Sequence, residues 1–286
     1  MAKTTTKPPA KKADTGEHEV SQPKQELVPA QHPDAGVPAH LQQQLAESTG
    51  RGVSTARDDN ILPLIYILQK GSPCVDERSE AYVEGAKAGE FWVRGTNKVW
   101  SGQKGIVVQP CAFLKCWIEW GPKRGDGLKG RHEDRPEDAF EKTVKDDKGR
   151  EIVIWSRPNG NTLVETREHY VIIDGNPYVL SFTSTGHTVS RTWMALMGGH
   201  KDAKGKPYDS FSRTYKLSTV LKSKGPDTWY SVKIDDGDWV PTAQAYALGA
   251  SLHDAVMSGE KRAEEPSGDE TATAEGGDAH AESAGI

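Results

Sequence analysis

The chain has 286 residues, 35% hydrophobic and 27% charged, and a formal net charge of −5. Residues 1–50 sum to −1, residues 51–260 to +1 and residues 261–286 to −5, so the negative charge is concentrated at the C-terminal end and the middle of the chain is neutral. No run of 18 or more apolar residues is present and the N-terminus lacks an apolar signal-type stretch, which excludes a spanning helix and predicts a reducing, cytoplasmic location. The three cysteines, Cys74, Cys111 and Cys116, have neither the number nor the spacing of a disulfide framework or a zinc site, and are expected to be buried thiols.

Residues 1–36 are rich in Lys, Pro, Ala, Thr, Gln and Glu and cannot bury enough apolar surface to offset the entropy of ordering. A disordered arm is predicted over residues 1–50, with a short helix at Pro38–Ser48 carrying Leu41 and Leu45 four apart. The ordered part opens with Ile61-Leu62-Pro63-Leu64-Ile65-Tyr66-Ile67-Leu68, where Pro63 suits an edge or a strand start. Further strands are predicted at Glu90–Arg94, Lys98–Trp100, Gly105–Trp120, Glu151–Trp155, Glu168–Ile173, Pro177–Thr183, Ser210–Val220 and Thr228–Ile234. Gly95-Thr96-Asn97 and Asp174-Gly175-Asn176 have hairpin-loop chemistry. The long run Gly105–Trp120 is expected to bend at Pro110 or to comprise two strands. Residues 121–150 are almost wholly polar and read as an insertion.

Helices are predicted at Thr188–Met197, stopped by Gly198-Gly199, and at Thr242–Ser258, between Pro241 and Gly259. The second places Ala245, Leu248, Leu252 and Val256 on one face. The whole reads as one mainly β domain over residues 51–260, an OB-like barrel with insertions and a C-terminal helix. It is flanked by disordered tails, of which residues 261–286 are acidic.

No enzyme motif is complete. Gly121–Gly130 is glycine-rich and basic but lacks the Lys-Ser/Thr pair of a phosphate-binding loop. His132-Glu133-Asp134 has no second ligand cluster, and Asp235-Asp236-Gly237-Asp238 lacks the spaced carboxylates of a calcium loop. A non-enzyme without cofactor or metal is therefore expected.

Sequence-tolerant binding of single strands needs cations for phosphates and aromatic faces for bases. Strand alternation places Phe113, Lys115 and Trp117 on one face, and Phe211, Arg213, Tyr215 and Leu217 on another. It sets Trp229, Ser231 and Lys233 against Tyr230, Val232 and Ile234. Lys123, Arg124, Lys129 and Arg131 follow the Trp117 strand, Lys201, Lys204 and Lys206 precede Phe211, and Lys222 and Lys224 precede Trp229. The predicted DNA contacts are Phe113, Lys115, Trp117, Lys123, Arg124, Lys129, Arg131, Arg213, Tyr215, Lys222, Lys224, Trp229 and Lys233. For each aromatic, packing in the core is the competing role.

The stretches Asn60–Pro73, Val107–Trp120 and Phe211–Ile234 resemble bacteriophage proteins of replication and recombination regions, and are similar to phage single-stranded DNA-binding proteins. The resemblance spans about Asn60–Val256 and transfers no contact residue. It implies a non-catalytic DNA binder whose acidic tail modulates access to a cationic groove. The expected partners are single-stranded DNA, phage replication or recombination proteins reached through the tail, and further copies of the chain, with no membrane. The competing reading is a phage structural or assembly protein that binds no nucleic acid.

Overall fold

The computed structural model describes residues 60–123, 125–146 and 148–266. The predicted N-terminal arm with its short helix, the acidic tail beyond Pro266, and Arg124 lie outside the described residues. Within them the chain forms thirteen strands and two α-helices.

Two long antiparallel strands make the spine: β5 (Ile106–Trp120) and β9 (Thr162–Ile173), in register from Gln109↔Ile172 to Trp120↔Thr162. The predicted bend at Pro110 is a bulge between Pro110 and Ala112, and β5 continues as one strand through it. The sheet forks around this spine. Near its start β5 pairs with β11 (Arg213–Lys224), and near its end with β6 (Leu128–His132). On the other side, β9 pairs first with β8 (Glu151–Ser156) and then with β10 (Asn176–Phe182). The sheet continues from β10 through β2 (Leu64–Ile67), β3 (Phe91–Val93) and β4 (Val99–Trp100), and from β11 to β12 (Asp227–Trp239). β7 (Phe140–Lys145) pairs only with β8.

Pro63 stands directly before a strand start rather than on the sheet edge. It splits the run into β1 (Ile61–Leu62) and β2, and β2 lies inside the sheet, parallel to β10 and antiparallel to β3. Pro63 still takes part in the pairing through its carbonyl, which accepts from the Val179 N–H at 3.0 Å. β1 pairs with β13 (Arg262–Ala263), a strand inside the stretch predicted as tail, and Ala263 is buried.

The sheet curls into a half-barrel, and a side chain bridges its two limbs. The Gln69 amide beyond β2 donates to the Tyr230 carbonyl at 3.0 Å and accepts from the Tyr230 N–H at 2.8 Å, as a neighbouring strand would. The Thr219 N–H donates to the Gly102 carbonyl at 2.9 Å. Glycine is required at this crossing: a Cβ on Gly102 would lie 1.8 Å from the Gly89 carbonyl oxygen.

Each face of the spine carries its own helix, which is why Tyr170–Ile173 is buried on both sides. α1 (Gly186–Gly199) packs with Val171, Ile173, Phe182, Tyr215, Leu217 and Val232 through Val189 and Trp193. His169 stacks on Trp193 at 4.6 Å. Burial, aided by the Arg167 charge, pushes His169 down to about 3, so it packs as a neutral ring. α2 (Ala243–Met257) covers Cys111, Ala112, Tyr170 and Ile172 with Leu252 and Val256. Its Thr242 cap accepts from the Ala245 N–H at 3.1 Å.

The predicted α2 stripe is half right. Leu248 is exposed and Gly249 is buried in its place, because a Cβ there would stand 2.6 Å from the Phe211 Cβ and 2.5 Å from Gln109 Nε2. Gln109 uses that opening to donate to the Ala245 carbonyl at 3.0 Å.

Candidate nucleic-acid interface

The β11–β12 hairpin is paired from Leu217↔Ile234 to Lys224↔Asp227 around the two-residue turn Gly225-Pro226, where Gly225 takes φ +58°. Directly paired residues share a face. One face carries Leu217, Val232 and Ile234 into the core. The opposite face carries Lys222, Lys224, Trp229 and Asp227 towards the tip, and Lys216, Lys233 and Asp235 further along the strands. Lys222 pairs with Trp229 itself, and the indole is half-buried while the lysine is exposed.

A second hairpin reaches this tip. β7 and β8 project beyond β9, and their turn brings Lys148 and Arg150 to Asp227. Arg150 Nη1 donates to Asp227 Oδ2 at 3.0 Å, Lys148 Nζ donates to Asp227 Oδ1, and Asp146 braces Arg150 with a 2.6 Å bond to Nε. The hydrogen bond from Lys148 holds the Asp227 carboxyl below the usual carboxylate range; burial opposes this and Arg150 adds to it. Lys148, Arg150, Lys222 and Lys224 thus meet beside Trp229, against the two acids Asp146 and Asp227. Such a surface can offer cations to a phosphate chain and an indole edge to a base.

Of the predicted contacts, Lys222, Lys224 and Trp229 come together here, while Lys233 shares their face four residues from Trp229 and is paired to Asp235. Among the described residues the others do not join them. Tyr215 is 1% exposed in the core beneath α1 and offers no ring to a ligand. Trp117 is buried edge-on against Trp155, and Arg135 lies 3.8 Å from the Trp155 ring centroid. Phe113 packs on His169, while Lys115 is exposed on the same face. Lys123 and Lys129 are exposed near the β5–β6 turn, at the far end of β5 from its pairing with β11. Arg213 is bound to the Gly237 carbonyl and lies against the Trp239 ring.

Arg131 is a structural residue. It forks onto Glu168, with Nη2 donating to Oε2 at 2.8 Å and Nη1 to Oε1, and Glu168 is 2% exposed. A parallel case on the other face is Glu119, whose carboxylate accepts from Asn161 at 2.6 Å and Arg157 at 2.8 Å and meets His132 at 2.7 Å. Burial alone would raise Glu119, but these hydrogen bonds outweigh it and hold the carboxyl at about 2. His132 is therefore committed to an internal carboxylate. Among the described residues no group of three or more His, Cys, Asp or Glu converges as a metal site would. Cys74, Cys111 and Cys116 are all buried, and burial pushes the Cys111 and Cys116 thiols up to about 12.

The fold thus assembles phosphate-compatible cations from two hairpin turns more than seventy residues apart in sequence. Residues 30–262 match the family model described as Pam3 phage gp34-like protein. The chain belongs to this family. The Pam3 phage gp34-like span ends at Arg262 in β13 and so takes in both hairpins, both helices and the spine. The phage origin expected from the sequence holds. No curated protein and no solved structure matches the chain.

Proposed function

We propose that this Pam3 phage gp34-like protein binds single-stranded DNA without catalysing a reaction, through the joined tips of the β7–β8 and β11–β12 hairpins. The observation that carries the reading is the convergence of Lys148, Arg150, Lys222 and Lys224 beside Trp229. Lys222 and Lys224 have no ion-pair partner among the described residues, so their ammonium groups are free to meet phosphates. Binding of this type tolerates sequence, because every base has a flat face and every nucleotide a phosphate.

The acidic segment beyond Pro266 regulates access by competing for the same cations. Its removal must begin after Pro266, since Arg262 and Ala263 belong to the fold.

Titration with a mixed-sequence oligonucleotide tests the reading. Tryptophan fluorescence should be quenched, and log affinity should fall linearly with log salt. Replacing Lys222 and Lys224 by Ala should flatten that slope by about 0.7 for each phosphate that is no longer neutralised. Trp229→Ala should cost about 1–3 kcal/mol of affinity. Neither quenching nor a mobility shift with poly-dT at low salt would refute the reading and leave the structural or assembly role in its place.

A further inference from the structure

A second aromatic surface lies at the opposite end of the β11–β12 hairpin. Trp239 is 53% exposed and Tyr208 41%, and the two rings meet edge-to-face at 5.0 Å. Arg213 sits 5.0 Å from the Trp239 ring centroid and is itself fixed by the Gly237 carbonyl. The indole is thus held in place while more than half of its surface stays open to water, an expensive arrangement for a tryptophan that fills no core.

The turn before Tyr208 carries Lys201, Lys204 and Lys206. It is tightly built: Lys201 bridges to Pro207, Asp202 Oδ1 accepts from the N–H groups of Lys204 at 2.8 Å and Lys206 at 2.9 Å, and Gly205 takes φ +81°. The Tyr208 N–H closes the turn on the His200 carbonyl at 3.0 Å.

Formal charges at this corner balance, with Asp202, Asp209, Asp236 and Asp238 opposing the three lysines and Arg213. Their orientations do not balance. Asp202 is taken up by backbone N–H groups, Asp209 by the Tyr246 hydroxyl at 2.6 Å, and Asp236 by His200 at 3.1 Å. The three lysines are exposed, and among the described residues none has an ion-pair partner. Asp238 is exposed, so an approaching ligand meets three free ammonium groups and an open indole against one open carboxylate, and the matching chemistry is an anion that carries flat aromatic groups.

We propose that this corner is a second contact for single-stranded DNA, in which an unpaired base stacks on Trp239 and the flanking phosphates meet Lys201, Lys204 and Lys206. The proposal rests on the DNA-binding reading and adds a site away from the hairpin tips.

The test is acrylamide quenching of tryptophan emission, with affinity measured in parallel, on the full chain with and without a saturating dT oligonucleotide. Trp239 is the most exposed of the tryptophans and should contribute most to collisional quenching of the free protein, and the oligonucleotide should protect it. In Trp239→Ala the protection should fall to the part contributed by Trp229, and affinity should fall about 5- to 150-fold, the range expected when one base loses its stacking partner. The variant's far-UV circular dichroism should match wild type, since the ring packs little in the core. Replacing Lys201, Lys204 and Lys206 together by Ala should lower the salt slope while base protection of Trp239 persists. If wild type binds the oligonucleotide and Trp239→Ala binds within twofold of it, the corner is idle and only the hairpin-tip reading stands. If wild type does not bind the oligonucleotide at low salt, both fall.

Discussion

Arg131→Met tests whether a basic residue beside the predicted stacking strand serves the fold or a ligand. Methionine keeps the apolar stem of Arg131 but removes the fork that neutralises Glu168, whose side chain is 3% exposed. Breaking a buried pair from one side costs about 3–5 kcal/mol, because the remaining charge is left without compensation. Glu168 would retain the Tyr170 hydroxyl at 2.8 Å and the Cys116 thiol at 3.6 Å, so the low end, about 3 kcal/mol, is expected. For a domain of this size that is a fall of roughly 6–12 °C in Tm. With a urea slope of about 2 kcal/mol/M, it is a midpoint shift of about 1.5 M. Urea unfolding followed by circular dichroism measures it. Adding Glu168→Gln to the Met variant removes the stranded charge, so the double variant should be more stable than Arg131→Met alone. Oligonucleotide affinity of the folded variant should match wild type. A variant within about 0.5 kcal/mol of wild type in urea but weakened in DNA binding would refute this account.

Three further outcomes follow from packing and charge. Stability should decline as pH falls from about 4.5 towards 2, because Glu119 is held at about 2 in the fold and its contribution, complete above the unfolded-state value, is lost as it protonates; acid titration of Glu119→Gln should show a shallower decline. Gln69→Ala removes both bonds to Tyr230 and should cost about 1–3 kcal/mol, with hydrogen exchange at the Tyr230 amide accelerating more than exchange in the spine; uniform acceleration would contradict a local bridge. Cys111 and Cys116, pushed up to about 12 by burial, should resist an aromatic disulfide reagent at pH 8 until denaturant is added, and release of either thiol in the native protein would refute their burial.

The sequence made most of the strands readable where turn chemistry and alternation coincide. The hairpins at Gly95-Thr96-Asn97 and Asp174-Gly175-Asn176 form as expected, and the opposing faces of Trp229 and Tyr230 emerge from the pairing of β11 with β12. β6 and β7 were not legible. Phe140, Glu141, Lys142 and Thr143 are all exposed, so no buried face imprints a period of two on the stretch. Alternation also groups residues on a face without saying which face becomes core. Tyr215 and Trp117 were grouped with their strand neighbours correctly, yet both point inward. Lys148 and Arg150 carry no local signal at all, since Asp227 lies 79 and 77 residues away. The same distance effect hid the role of Arg131, whose partner Glu168 is 37 residues further on.

The parallel pairing of β1 with β13 has a topological consequence. Arg262 N–H donates to the Asn60 carbonyl at 3.3 Å and Glu264 N–H to the Leu62 carbonyl at 2.9 Å, so the first and last described strands lie side by side. Entry and exit at one place make the fold a self-closed loop of chain. Such a unit can be circularly permuted, or spliced into a host protein at a single surface point, without rerouting its spine. The exposed Pro158-Asn159 turn between β8 and β9 is a suitable place to open new ends, provided Asn161 keeps its hold on Glu119.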